Sequence, residues 1–347
     1  PSNAYQRKDI INELEDVRDI IYDVSPETTP FISNAPVGNC SNTTHEWHDD
    51  ELDAQNIANQ SLDGQVFSGQ VITPPSRYNN ECQIPRKDIT ITRRARKVSK
   101  AGPDDEVARQ VVRKGRELRR DMEGIATVNQ GKVKDTDGAT KPRSAGLPTW
   151  IIGLSDGRAD RGGTGTDPAS FGAAKGDGTK RAMSEAGYLG VMQAVTLVSD
   201  EMPNVLLLDW VSKAKFSTYM FGTDARIATQ YQDQGASPRG GVKVVGAVDV
   251  WVTDYAVIDI VPDRYVAPRW NEASGDGVPA AAGGFDHFLY NTSMVDVCYF
   301  DPISTDAMAK VADTDDRMIL ADFTIVPRSP RSLGTFADVD ETLAMVA

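Results

Sequence analysis

The sequence predicts an α+β protein with antiparallel sheets, on three observations. Strand-like and helix-like segments follow one another in mixed order, without the regular alternation that builds a parallel sheet. One long amphipathic helix carries a single narrow apolar stripe. The other apolar runs are strand-sized, as at Val205–Leu208, far short of the roughly 20 residues that cross a bilayer. The chain of 347 residues, at about 150 per domain, suggests about two domains. It shows no internal repeat.

The elements follow in order. Ile10, Ile11, Leu14, Val17, Ile20 and Ile21 recur at helical spacing and predict a helix over 8–23, stopped by Ser25-Pro26 and Thr29-Pro30. Residues 42–97 read as extended. Thr43, Thr44 and Trp47 favour one strand and Ile89–Thr92 another, with a polar stretch from Asp53 to Gln70 between them. Two strands with a long polar tip make a hairpin that has little core of its own and is mobile unless it lies on another molecule. Pro103, followed by Asp104, Asp105 and Glu106, suits the start of a helix over 103–128. Val107, Val111, Leu118, Met122 and Ile125 form its stripe. Such a helix is about 39 Å long at 1.5 Å per residue, a strut on a sheet.

Gly153–Gly178, with eight glycines, reads as a long surface loop. Ser184 can cap a helix to about Asp200, Val205–Asp209 is a buried strand, and Trp210–Phe221 is helical. Val244–Thr253 and Val257–Val261 form a hairpin with Asp254-Tyr255 at its turn. Asn271–Gly284 is a second loop, and Val295–Phe300 and Met318–Val326 are strands.

The formal charge is −13, which excludes a generally basic nucleic-acid surface. Charge is unevenly placed, however. Between Arg86 and Arg120 stand 13 Lys and Arg against five acids, a local +8 that leaves −21 elsewhere. A basic strip can contact DNA, or it can be the cationic side of a self-association surface; the large acidic remainder favours the second. Cys40, Cys82 and Cys298 lie far apart, and this odd, scattered set fits neither a disulfide framework nor a zinc site. They read as reduced thiols of a protein made in a cytoplasm. Residues 1–8 show no signal-peptide pattern.

The tempting chemical cluster is His45-Glu46-Trp47-His48. A zinc hydrolase helix needs its histidines four apart on one face. Here they are three apart, and on a strand an odd separation sends them to opposite faces. Arg161–Thr166 lacks the Gly-Lys-Ser/Thr end of a phosphate loop. Neither a catalytic constellation nor a metal or cofactor site emerges, so the chain does not read as an enzyme.

Several segments in the same order carry a resemblance. They are Asp19-Ile20-Ile21-Tyr22 with Pro26 and Thr29-Pro30-Phe31; Thr44-His45-Glu46-Trp47 with Asp50 and Leu52; Glu117-Leu118-Arg119-Arg120-Asp121-Met122-Glu123; Ala145-Gly146-Leu147 with Trp150; Val248–Tyr255 with Val261-Pro262-Asp263-Arg264; and Asp315–Met318. Together they resemble the major head proteins of the phage SU-ten family, over residues 19 to about 320. Ala256, where that family often has glycine, and the Gly153–Gly178 loop depart from it.

The resemblance implies the Hong Kong 97 capsid fold: an N-terminal arm and helix over 1–41, an extended E-loop over 42–97, a peripheral domain with the spine helix and glycine-rich loop over 98–180, an axial domain over 181–290, and peripheral return strands over 291–347. It implies a subunit that assembles with itself into hexamers and pentamers of an icosahedral shell around double-stranded DNA, in a virion built in a host bacterial cytoplasm. Portal, scaffolding and cement proteins are the expected further partners, with no membrane and no sequence-specific DNA binding. The alternatives are an encapsulin-like compartment of the same fold and, from another class, a metal-dependent hydrolase using His45 and His48. Arg113, Lys114, Arg116, Arg119 and Arg120 are expected to meet acidic residues of neighbouring copies. Trp47 has two readings, an anchor against the next subunit or a sheet residue packed within its own.

Overall fold

The computed structural model describes residues 28–66, 69, 72–98, 105–156, 163–222, 248–266, 284–310 and 312–346. The expected helix over 8–23 and nearly all of the expected 271–284 loop lie outside these. From the N-terminus run a short helix α1 (Pro30–Asn34), strands β1 (Val37–Asn39), β2 (Thr44–Asp49), β3 (Ser76–Glu81) and β4 (Arg86–Thr92), and helices α2 (Arg93–Lys97) and α3 (Glu106–Thr127). Then come α4 (Glu185–Val198), β5 (Val205–Asp209), α5 (Trp210–Gly222), β6 (Val250–Val252), β7 (Val257–Asp263) and β8 (Phe285–Tyr290). The long strands β9 (Val295–Ala307) and β10 (Thr314–Pro327) and the final β11 (Gly334–Val339) complete the chain.

Three sheets result. A four-stranded sheet has the order β1-β9-β10-β4, a five-stranded sheet β11-β8-β5-β7-β6, and β2 and β3 pair alone. In β4 the period-two alternation buries Ile89 and Ile91, and α3 packs across β4 and β10. Asp105 caps α3, its carboxylate accepting from the Val107 (2.9 Å) and Ala108 (3.3 Å) amides. Val107, Leu118, Met122 and Ala126 form the buried stripe of α3. Ser184 caps α4 by accepting from the Gly187 amide. All of β5 is buried, as suits a central strand between β8 and β7, and α5 packs back on β5 and β7.

The structure corrects several expectations. The partner of β2 is β3, from Thr44 opposite Glu81 to Asp49 opposite Ser76. Residues 89–92 instead pair with β10 in the four-stranded sheet. The strand Ser76–Glu81 is polar, and it escapes a hydrophobic reading because hydrogen bonds satisfy it: buried Asn80 donates to the Ile325 carbonyl (2.8 Å) and accepts from the Ala145 amide (2.9 Å). The sheets are not uniformly antiparallel, since β1–β9 and β5–β7 are parallel. The α3 helix begins at Glu106, directly after its cap Asp105, rather than at 103.

The described part of the glycine-rich segment is tied to the body and is not a free surface loop. Lys175 forms a buried ion pair with Asp286 on β8 (2.6 Å), and Asn129 exchanges hydrogen bonds with the Lys175 backbone at 2.9 Å each. Finally, β11 pairs with β8 in the five-stranded sheet, so a boundary at 290/291 separates two bonded strands. Asp338, at φ 65° in an irregular step of that pairing, is a residue type that tolerates the left-handed region.

Candidate assembly interface

The β2–β3 hairpin carries the least covered surface of the described chain. Every described residue from Asp50 to Arg77 is exposed, including Leu52, Ile57, Leu62, Val66 and Ile72 at 80–96% exposure. Five large apolar side chains on one polar tip is the pattern of a surface that another molecule covers. At the hairpin's root, Asp49–Leu52 line a groove of about 370 Å³ with Thr196–Asp200 at the end of α4, Ser329 and Arg331. Arg331 pairs with Glu51, and Ser329 donates to Asp49 at 3.0 Å.

Trp47 packs inside its own subunit. Its ring lies 5.2 Å from that of Trp150 and 6.2 Å from that of Tyr78, which supports the second of its two readings. The indole N–H is buried without a hydrogen-bond partner. The α3 cations line its outer side. Arg113 and Lys114 both pair with Glu117 one turn on (3.3 and 2.7 Å), and Arg120 lies over the Tyr265 ring at 5.5 Å. Arg116 and Arg119 are exposed. Part of the basic strip finds its acids in the same chain, as Lys87 with Asp121, Arg93 with Asp313 and Arg96 with Asp315. Exposed pairs of this kind contribute roughly 0–1 kcal/mol each.

His45 and His48 do not converge: along β2, His45 and Trp47 are half-buried while Glu46 and His48 are exposed, as the odd separation requires. Two polar groups escaped the sequence reading. In the first, Tyr188 on α4 meets His287 Nδ1 at 2.5 Å, and His287 Nε2 meets Asp209 at 3.1 Å. Burial opposes ionisation of Asp209, but hydrogen bonds from His287 and Ser212 outweigh it and bring the carboxyl down to about 2. Although arranged like a relay, all three side chains are buried. They tie α4, β5 and β8 together.

In the second group, Glu123 of α3 accepts from the Phe31 (2.6 Å) and Ile32 (2.9 Å) amides of α1. It also faces Asp263 at the end of β7. Burial, then the neighbouring Asp263 charge, pushes Glu123 up to about 8, and burial raises Asp263 to about 6. The cysteines are free thiols, as expected, but they are not scattered: Cys40, Cys82 and Cys298 are all buried and gather with Val326 against Trp47. Only tertiary structure brings residues so far apart in sequence together.

This arrangement of sheets and helices is that of viral and cellular shells. The capsid of cyanophage A-1(L) matches with a TM-score of 0.57 at 13% identity, covering 96% of this chain and 98% of that one. The capsid of cyanophage P-SCSP1u matches at 0.57 and 10% identity, over 95% and 93%. The SrpI encapsulin of Synechococcus elongatus PCC 7942 matches at 0.52 and 11% identity, over 96% and 94%. The fold is therefore a capsid fold of the Hong Kong 97 kind.

The family described as SU10 major capsid protein matches residues 2–340, and the chain belongs to that family. A major capsid protein of Escherichia phage Phieco32 is 28% identical over 138 residues, 40% of this chain and 39% of that protein's length. The resemblance seen in the sequence thus holds for nearly the whole chain.

Proposed function

We propose that this chain is the shell-building subunit of a tailed bacteriophage, forming hexamers and pentamers that close into an icosahedral capsid around double-stranded DNA. The observation that carries the reading is the β2–β3 tip, whose apolar side chains are left uncovered by the rest of the subunit. We read this hairpin as the E-loop, α3 as the spine helix, the four-stranded sheet as the peripheral domain and the five-stranded sheet as the axial domain. The tip then lies over the spine region of the next subunit, burying there what it exposes here.

Each such contact is modest, and closure makes the shell collectively stable because every subunit is held at several contacts at once. Portal, scaffolding and cement proteins are the partners expected of such a shell. An acidic wall suits DNA that must slide during packaging. The encapsulin shares the fold alone, whereas the family match favours a phage shell over a cellular compartment. Deleting residues 53–70 tests the reading: the variant keeps a folded, soluble subunit by circular dichroism and yields no particles on a sedimentation gradient. Wild-type particle yield from that deletion overturns it.

A further inference from the structure

The chain's three cysteines and one of its histidines meet where the hairpin joins the body. Cys40 follows β1, and its amide bonds the Tyr299 carbonyl of β9 at 2.9 Å. Cys298 lies on β9, opposite Gly38 and Thr324. Cys82 follows β3, its amide bonded to the Thr43 carbonyl at 2.8 Å. His45 lies on β2, opposite Asn80. Each position is fixed by ladder or loop hydrogen bonds, so the side chains converge from rigid backbone.

A sulfur of Cys40, a sulfur of Cys298 and a ring nitrogen of His45 all lie within 4.8 Å of one another. The Cys40 thiol is also in hydrogen-bonding contact with Cys82. We propose that Cys40, Cys82, Cys298 and His45 bind a zinc-type divalent cation that ties the root of the β2–β3 hairpin to the four-stranded sheet.

Three thiols and one imidazole are a donor set that zinc takes in structural sites, with bonds of about 2.3 Å to sulfur and about 2.0 Å to nitrogen. Tetrahedral bonds of that length place ligand atoms roughly 3.5–3.8 Å apart, so shifts of about an ångström bring the Cys40, Cys298 and His45 donors to that spacing, with the Cys82 sulfur beside Cys40 turning in as the fourth. The site is shaped and largely enclosed: the three thiols are buried with Val326 and against Trp47, and His45 is half-buried. A Cβ at Gly38 would stand 2.3 Å from the Cys298 sulfur, so the sulfur occupies space that only glycine leaves open. Binding releases the three thiol protons, because the ligands are thiolates. Three thiolates, a neutral imidazole and a dication leave a single negative charge, and Arg328 interacts electrostatically with Cys298. The cation would fix the direction in which the hairpin leaves the subunit.

The test uses the intact chain, free of histidine tags and prepared from zinc-supplemented cells. Metal analysis should give about one zinc per chain. Reconstitution of the stripped chain with Co²⁺ alone should give the strong near-ultraviolet and visible bands of tetrahedral thiolate ligation. Cys298→Ser and His45→Ala should each weaken Co²⁺ binding by about tenfold or more. The wild-type measurements stand even if a variant misfolds, and they do not depend on whether particles form. A wild-type chain that purifies without zinc and gives no thiolate–cobalt bands overturns the proposal, and so does a peptide map that shows a Cys40–Cys298 disulfide.

Discussion

Glu123 shows how much one side chain can hold. It is fully buried, and it receives the first amides of α1 while facing a second carboxyl, Asp263. Truncation by Glu123→Ala leaves both amides unsatisfied and should cost about 2–4 kcal/mol in urea unfolding. The pair also makes stability depend on pH. Both carboxyls hold their protons more tightly folded than unfolded, with values near 8 for Glu123 and 6 for Asp263. The folded state is thus favoured at low pH and loses that advantage as pH rises, through about 6 and then about 8. Unfolding free energy should fall between pH 5 and 8.5 by on the order of 5 kcal/mol. Glu123→Gln should flatten that slope, and an unchanged slope in the variant would show that other groups set it. None of this was legible in the sequence, where Glu123 is one acid among the charges of a helix. Asp209, His287 and Tyr188 were hidden in the same way, because a buried polar network follows no period.

At the scale of elements, periodicity and capping were legible where apolar spacing is strong. Ser184 caps α4, Val205–Asp209 is a strand, and Trp210 opens α5, as the spacing predicts. The stripe of α3 was visible too, though its start was misplaced by three residues because the acids before it also suit a first turn. Met122 is fully buried in that stripe, so Met122→Ala should cost about 2–5 kcal/mol by chemical denaturation. Val112→Ala, at an exposed position of the same helix, should change stability by no more than about 0.5 kcal/mol. What failed was strand pairing. β3 has a polar sequence, and its place is set by buried Asn80 and by register with β2, neither of which is a local signal. The cysteine cluster was missed because β1, β9 and the hairpin meet only in three dimensions.

For the whole molecule, the fold class and the shell function were read through the ordered family motifs rather than from composition. The candidate interface was legible in part: the polar-tipped hairpin stood out, whereas Trp47 belongs to its own subunit's aromatic cluster. Beyond their contacts within the subunit, we propose that the α3 cations meet acidic residues of neighbouring copies. Arg116→Glu with Arg120→Glu should sharply lower particle yield on a gradient while the subunit still folds; wild-type yield would remove these residues from the assembly surface. The central claim is that the subunit completes its burial only against identical copies. Sedimentation velocity of the purified intact chain over rising concentration, with negative-stain imaging of the fastest fraction, tests it most directly. The account predicts closed shells of uniform size, with hairpin tips covered by neighbours. A compact monomer that persists at high concentration, its tip folded against its own body, would contradict it.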